Sequence, residues 1–539
     1  MNITEINHQI ECNRQPIMSR RGAVATSQPL AARAGVSMLE RGGNAFDAAL
    51  AAAAALTVVE PTSNGLGGDC FVLYSRRGNI GGLNSSGWLP YDYPEDKIEN
   101  HLIRNKKLDR FGWGGVTVPG QIAGWNYLGE NFARLDWEDI FRPACIYARE
   151  GFPVSPVVAY NWDKALKKYR ENLSEDHKKS FFNSFSLQKM APESGEIWKN
   201  ISQAETLERL AAEGLMDFYQ GEIAEKIVEY ADRTGGYISR EDLEDFSPLE
   251  VEPLKINYNG HQIYELPPNG QGLIALQALK IMNDINLHNF KNCSEMHLRI
   301  EALKQAFADG KEFIGDPKKM EISPEKLLSN NYLNQKRDKI TSRASKPEPG
   351  PVDRGGTVYL AAGDNQGNLV SLIQSNYTGF GSGVVIPGTG ISLHNRGHNF
   401  SVDEEKANVP APGRRPYHTI IPGFIRSNRK NVAGPFGVMG GFMQPQGHVQ
   451  VLQNMIDYGM NPQEALTAPR WRWQEEKKLL LEPGFNRETA RELSRRGHEV
   501  KIEWKMSGYG RGQIIFMDRD RGCLIGASEP RADGQVAVY

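Results

Sequence analysis

A mixed α+β layered fold is what this sequence predicts, on three observations. Helical and strand patterns come in blocks that do not alternate regularly, which disfavours a doubly wound parallel sheet. A strongly apolar, alanine-rich helical stretch lies among short buried-strand patterns. The 539 residues, 40% hydrophobic and 24% charged, give ample length for a large core, and no internal repeat or low-complexity tract divides them.

In chain order, Gln28 to Val59 reads as two helices parted by Gly42-Gly43; the second is too short, and with Asp47 too polar, to span a bilayer. Gly65-Leu-Gly-Gly68 turns the chain into a buried strand, Cys70 to Tyr74, and the glycine- and serine-rich run Asn79 to Gly87 reads as a loop at a strand end. Lys97 to Arg110 is a charged, solvated segment. Gln121 to Gly151 and Ala204 to Gly235 have helical spacing, and Asp163 to Lys199 reads as helical surface. Asn259-Gly260 supplies the positive φ angles of a tight turn, so Ile256 to Tyr264 is a hairpin. Helices then run from Gly272 to about Asn283 and from Ser294 to about Phe313. Ser342 to Gly356, rich in proline and glycine, is an exposed linker before strands at Thr357 to Ala362 and Leu369 to Gln374. Helices are expected over His448 to Tyr458 and Asn486 to Gly497, and the final segment alternates strand and turn.

A net charge of −2 argues against nucleic acid or an anionic membrane as the main partner. Cys12, Cys70, Cys145, Cys293 and Cys523 are widely spaced and form no Cys-x-x-Cys pair, as expected of a reducing compartment. Met1 to Gly22 is polar and lacks the apolar segment of a secretory signal, so a cytoplasmic protein is expected. His394, His398, His418 and His448 show no paired metal-ligand spacing, and Gly379-Phe-Gly-Ser-Gly383 lacks the context of a phosphate loop. Neither a metal nor a cofactor is expected.

The most informative stretch is Asp353-Arg-Gly-Gly-Thr357, a hydroxyl residue placed after two glycines between a linker and a strand. A break between Gly356 and Thr357 would give Thr357 a free α-amine beside its own hydroxyl, uniting nucleophile and base on one residue. Such an amine has an unperturbed pKa of about 7.7–8.0, so part of it is neutral near physiological pH. Glycine at 356 removes side-chain bulk at the bond to be cut. Local sequence alone is equally consistent with a β-branched residue opening a strand.

Gly42-Gly-Asn-Ala-Phe-Asp-Ala-Ala49, Gly65-Leu-Gly-Gly68, Pro267-Pro-Asn269, Gly355-Gly-Thr357, Phe380-Gly-Ser-Gly383 and Gly440-Gly441 occur in an order that resembles the γ-glutamyltranspeptidases. The resemblance covers roughly Ser27 to Gly534. It implies an N-terminal-nucleophile hydrolase with a four-layer αββα sandwich, made as a proenzyme that cuts itself. The large subunit would be 1–356 and the small one 357–539, held together in one folded unit; a dimer of such heterodimers is left open. It also implies that Thr357 is the nucleophile, that Ser375 hydrogen-bonds it, and that the N–H groups of Gly440 and Gly441 face the oxyanion.

Departures from the family pattern bear on substrate. Ser86, in Ser86-Gly-Trp-Leu-Pro90, stands where the family's carboxylate-binding arginine would be. Tyr377 replaces an asparagine that contacts the γ-glutamyl group, Asn399 replaces the aspartate that binds its amine, and Arg414-Arg415 stands in for a serine pair that touches the carboxylate. With Ile373-Gln-Ser-Asn-Tyr377 and His394-Asn-Arg396, these are similar to the subgroup that includes oxamate amidohydrolase. That resemblance implies a small carboxylate-bearing amide as substrate, its carboxylate held by Arg414 or Arg415. A γ-glutamyl transferase or glutathione hydrolase is the second reading, and a noncatalytic binding paralogue the third.

Overall fold

The computed structural model describes residues 14–539 except 106, 284, 286, 291, 347–355, 402, 404–405 and 504–507. Side-chain alternation sets its layers. Along the strand Gly356–Asp364, Val358, Leu360 and Ala362 join one hydrophobic cluster, while Tyr359 and Ala361 join another. That is the period-two pattern of a strand buried on both faces. The strand sits third in a seven-stranded antiparallel sheet, between Gly22–Thr26 and Leu369–Tyr377, with Asp69–Arg76 and Asn79–Ser85 beyond. A second seven-stranded antiparallel sheet contains, as neighbours, Cys523–Ser528, Arg511–Asp518, Val432–Met439, Gly423–Ser427 and His261–Glu265. The inner faces meet through residues such as Phe71, Tyr359, Ile373, Phe424 and Ile515. Helices Pro29–Glu40 and Ala45–Val59 cover one outer face, and Gly272–Met282 and Met443–Ile456 the other. The result is the four-layer αββα sandwich that the resemblance implies.

Several sequence blocks have plain structural causes. Asn44 caps Ala45–Val59 in a capping box with Asp47, whose carboxylate also takes the N–H groups of Arg134 and Leu135 at 2.9 and 2.8 Å. All fifteen residues of that helix are buried, which accounts for its run of alanines. A Cβ at Gly35 of the neighbouring helix would lie 2.7 Å from the Ala48 carbonyl, so the two helices touch backbone to backbone there. The hairpin turns at Asn259 and Gly260, both with positive φ, as its sequence predicts.

The elements differ from expectation where tertiary packing overrides local composition. Asn79–Ser85 is a strand, not a loop: a Cβ at Gly81 or Gly82 would lie 2.5 Å from Tyr74 or Leu266, so these glycines admit close neighbours. Glu95–Asn105 is helical within the charged segment. The polar stretch from Asp163 is only partly surface, because its Tyr169, Phe181 and Phe185, with Trp162 just before it, pack around buried Phe380. The helix after Gly440-Gly441 starts at Met443 rather than His448; its first turns are buried on every side and show no polar period. Of the linker, 347–355 lie outside the described residues, as does Cys12. Its near end is anchored, with Ala344 buried and the Ser345 N–H donating to Glu301 at 3.0 Å.

Candidate active site

Thr357 owes its surroundings to an irregularity in the sheet. Gly356 pairs with Tyr377 but Val358 with Gln374, a one-residue slip that brings Ser375 opposite Thr357. Thr357 is fully buried. Its Oγ1 lies 3.0 Å from Ser375 Oγ, and both hydroxyls reach the Gly356 carbonyl oxygen, at 2.8 and 2.7 Å. The Tyr377 N–H and Arg396 Nη2 donate to Ser375 Oγ at 2.8 and 3.3 Å. Those two donors occupy both lone pairs of the serine hydroxyl, so its one proton is directed at the Gly356 carbonyl or at Thr357. Ser375 is thus a donor here and not a base for Thr357.

Tyr377 and Asn399 meet in the same pocket. The Tyr377 hydroxyl donates to Asn399 Oδ1 at 3.0 Å, and Asn399 Nδ2 to the Tyr417 carbonyl at 2.6 Å. Tyr377 has φ of 70°, a left-handed conformation rare for an aromatic residue and of the kind held at functional sites. The glycines that follow continue the turn; a Cβ at Gly381 would lie 2.3 Å from the Leu393 carbonyl. Gly65 and Gly68 serve the same neighbourhood, since a Cβ on either would lie 2.9 Å from the Asn376 amide.

Arg396 went without an assigned role in the sequence, yet it is the cation nearest this cluster. Its guanidinium lies 4.3 Å from the Tyr377 ring centroid and donates to Thr419 Oγ1 at 2.7 Å as well as to Ser375. It is fully buried, its Nε has no acceptor, and no carboxylate among the described residues lies within ion-pair reach. Burial pulls its pKa down to about 10, against the attraction of Asp69, so it remains a cation at neutral pH. Asp69, paired with Ser375 across the sheet, receives His418 Nε2 at 2.9 Å, with His394 Nε2 at 3.5 Å. Burial pushes the Asp69 carboxyl up to about 7, opposed by Arg396, and holds His394 down at about 3. Asp69 and Thr419 were also missed; only the strand pairing connects Asp69 with Ser375.

The other predicted residues are distributed around this centre. Gly440 and Gly441, with φ of 137° and 61°, turn the strand Val432–Met439 into the helix Met443–Ile456, and Gly440 borders the same cavity as Gly356. Ser86 is buried and bonds Asn84 and Asn269. Arg415 stacks on Trp88 and donates to the Ser86 carbonyl at 2.8 Å, whereas half-buried Arg414, among the described residues, reaches the Val409 carbonyl at 3.5 Å. The hydrogen bond to Ser375 therefore comes from Arg396, with neither member of the arginine pair bonded to Thr357, Ser375 or Tyr377.

Among the described residues one group has metal-ligand proximity: His297, Glu301 and His498, with ligand atoms within 4.8 Å of one another. The Lys304 ammonium already sits 2.8 Å from Glu301, and His297 Nε2 is engaged by the Thr341 carbonyl, so the chemistry of the set disfavours a divalent cation. Burial, aided by Lys304 and His297, holds His498 down at about 3. Its neutral form therefore stabilises the fold above the usual imidazole pKa of about 6.5, and that stabilisation is lost as pH falls towards 3. The stability difference between wild type and His498→Gln should shrink by up to about 1.4 kcal/mol per pH unit below 6.5 in urea unfolding. A difference that does not vary with pH would contradict this.

Similarity to known proteins agrees with the geometry. A model of the gamma-glutamyltranspeptidase family matches residues 31–539. The chain is 33% identical to the glutathione hydrolase-like YwrD proenzyme of Bacillus subtilis, over 96% of this chain and 98% of that one. It is 31% identical to the oxamate amidohydrolase proenzyme of Klebsiella pneumoniae, over 97% and 99%. The crystal structure of cephalosporin acylase from Bacillus halodurans superimposes with a TM-score of 0.94 at 45% identity, over 99% and 98%. From the family model and these hydrolase and acylase relatives, the chain is an enzyme of the gamma-glutamyltranspeptidase family.

Proposed function

We propose that the chain cuts itself between Gly356 and Thr357 and then hydrolyses small carboxylate-bearing amides, oxamate among them, through an ester on Thr357. The observation that carries this reading is that the Thr357 and Ser375 hydroxyls both meet the Gly356 carbonyl while the buried Arg396 guanidinium donates to Ser375. In the cut, Thr357 Oγ1 attacks the Gly356 carbonyl carbon while Ser375 donates to its oxygen. The C–N bond breaks, the hydroxyl proton ends on the new amine, and water hydrolyses the ester to leave Gly356 as a carboxylate.

In turnover the α-amine of Thr357 takes the hydroxyl proton as Oγ1 attacks the amide carbon, then delivers it to the departing nitrogen. With oxamate, ammonia leaves first; water then attacks the ester, and oxalate follows. Gly440 and Gly441 supply the oxyanion donors in this reading. Arg396 holds the carboxylate, because its guanidinium edge stands two hydrogen bonds from Thr357 Oγ1, by way of Ser375. A carboxylate on the atom next to the attacked carbon spans that interval, and charge-assisted pairing compensates the buried cation.

The test is a substrate panel on processed protein. Ammonia release from oxamate, with no release of the chromophore from a γ-glutamyl anilide, is the expected result. Turnover of the anilide alone would replace this reading with γ-glutamyl hydrolysis or transfer.

A further inference from the structure

Between the acyl pocket and the Gly440-Gly441 turn stands the fully buried side chain of Gln271. Its residue is the N-cap of the helix Gly272–Met282, a position where serine, threonine, aspartate or asparagine would cap the helix. The Gln271 amide is turned across the fold instead. Nε2 gives one proton to the Thr419 carbonyl at 2.6 Å and the other to the Gly441 carbonyl at 2.9 Å, and Oε1 accepts from the Tyr417 hydroxyl at 2.9 Å. These partners fix the sense of the amide, because a flipped one would set Oε1 against two carbonyl oxygens. The main chain is held in the same place. The Gln271 N–H donates to the His418 carbonyl at 3.1 Å, and the His418 N–H to the Asn269 carbonyl at 2.8 Å. The segment Tyr417 to Thr419 also faces the acyl pocket: the Tyr417 carbonyl accepts from Asn399, and Thr419 Oγ1 from Arg396. The Tyr417 ring meanwhile stacks on Phe442, which follows Gly441, with 5.8 Å between centroids. Gln271 thus ties the Gly441 carbonyl to the segment that holds two acyl-pocket side chains. Gln444, in the first turn of the helix Met443–Ile456, accepts separately from the Ile421 N–H at 2.9 Å and keeps that helix docked.

We propose that Gln271 is a positioning residue for amide hydrolysis, setting the N–H donors of Gly440 and Gly441 at their distance from an acyl group lodged beside Tyr377, Asn399 and Arg396. This role rests on the acyl-enzyme reading above, in which those two N–H groups face the oxyanion. Gln271 acts through Gly441 and Thr419 and holds no part of the substrate, so substrate binding does not depend on it. What it determines is where the donors stand when the tetrahedral intermediate forms. Donors displaced by about 1 Å can cost about 100-fold in rate. Self-cutting is different, because the Gly356 carbonyl takes its hydrogen bond from Ser375 and does not call on the glycine pair.

The test follows Gln271→Met, which keeps the length of the side chain without its donors, in full-length protein left to process itself. The expected result for oxamate is a kcat about 10- to 100-fold lower, with KM within about three-fold of wild type. The half-time of self-cutting should stay within about two-fold, which a general loosening of the fold would not allow. Tyr417→Phe leaves the amide in place but releases its rotation. It should show the same split at about three- to ten-fold, and it decides the matter if Gln271→Met is not recovered folded. An unchanged kcat would overturn the role, and so would self-cutting slowed in step with turnover. If wild type hydrolyses the γ-glutamyl anilide and not oxamate, only the choice of acyl group falls. The same split is then read on the anilide, since either acyl group passes through a tetrahedral oxyanion. If wild type hydrolyses neither, the acyl-enzyme reading falls and amide hydrogen exchange decides for Gln271. Residues 440–444 should exchange at least about ten-fold faster in Gln271→Met than in wild type, with 356–364 unchanged. Equal exchange at 440–444 would overturn the tie.

Discussion

Thr357→Ala protein should remain a single 539-residue chain on a denaturing gel, with amide turnover reduced by more than about 10^4-fold. Two losses follow from one atom. Without Oγ1 nothing attacks the Gly356 carbonyl, and without the cut the Thr357 nitrogen stays an amide that accepts no proton. Ser375 does not substitute: its lone pairs are held by the Tyr377 N–H and by Arg396, so its hydroxyl serves as a donor. Thr357→Ser, which keeps a hydroxyl on a less constrained side chain, should retain both activities at reduced rate. Sequencing the smaller fragment from wild type should begin at Thr357. A Thr357→Ala protein that is still cut there would refute the self-cutting chemistry, and an uncut wild type with full turnover would refute the need for the amine.

The sequence made the frame and part of this centre legible, for identifiable reasons. Capped helices, the Asn259-Gly260 hairpin and the glycine pair at 440–441 carry their information locally, in a cap, a turn or a positive φ. Thr357 and Ser375 could be named because their blocks stand in a familiar order. Arg396 and Asp69 were not legible in the same way. Nothing within a few residues of Arg396 indicates that it will reach Thr419, Tyr377 and Ser375, and Asp69 meets Ser375 only through the pairing of distant strands. Arg414-Arg415 is a different case: two adjacent cations suggested an anion clamp, and in the fold Arg415 stacks on Trp88 and donates to the Ser86 carbonyl while Arg414 reaches the Val409 carbonyl, with neither bonded to Thr357, Ser375 or Tyr377. Charge in sequence marks a candidate, and packing decides which charge faces the reacting atoms.

That distinction gives the second large effect. Arg396→Gln should lower kcat/KM for oxamate by about 30- to 1,000-fold, the range expected when one partner of a buried charge pair is removed, roughly 2–4 kcal/mol. The variant keeps a donor beside Ser375 and Thr419 but not the positive charge, so self-cutting, whose carbonyl bears no carboxylate, should be slowed far less than oxamate turnover. The diagnostic measurement is the ratio of kcat/KM for oxamate to that for oxamide, its neutral counterpart: Arg396→Gln should move it towards one. Arg396→Met should do the same while matching or exceeding wild-type stability in urea, because a buried cation without a carboxylate partner costs the resting fold more than a well-packed apolar chain does. If both variants kept the wild-type preference for oxamate, the carboxylate would have to be held elsewhere. Arg415, whose Nε already donates to the Ser86 carbonyl at 2.8 Å, would then be the group to test.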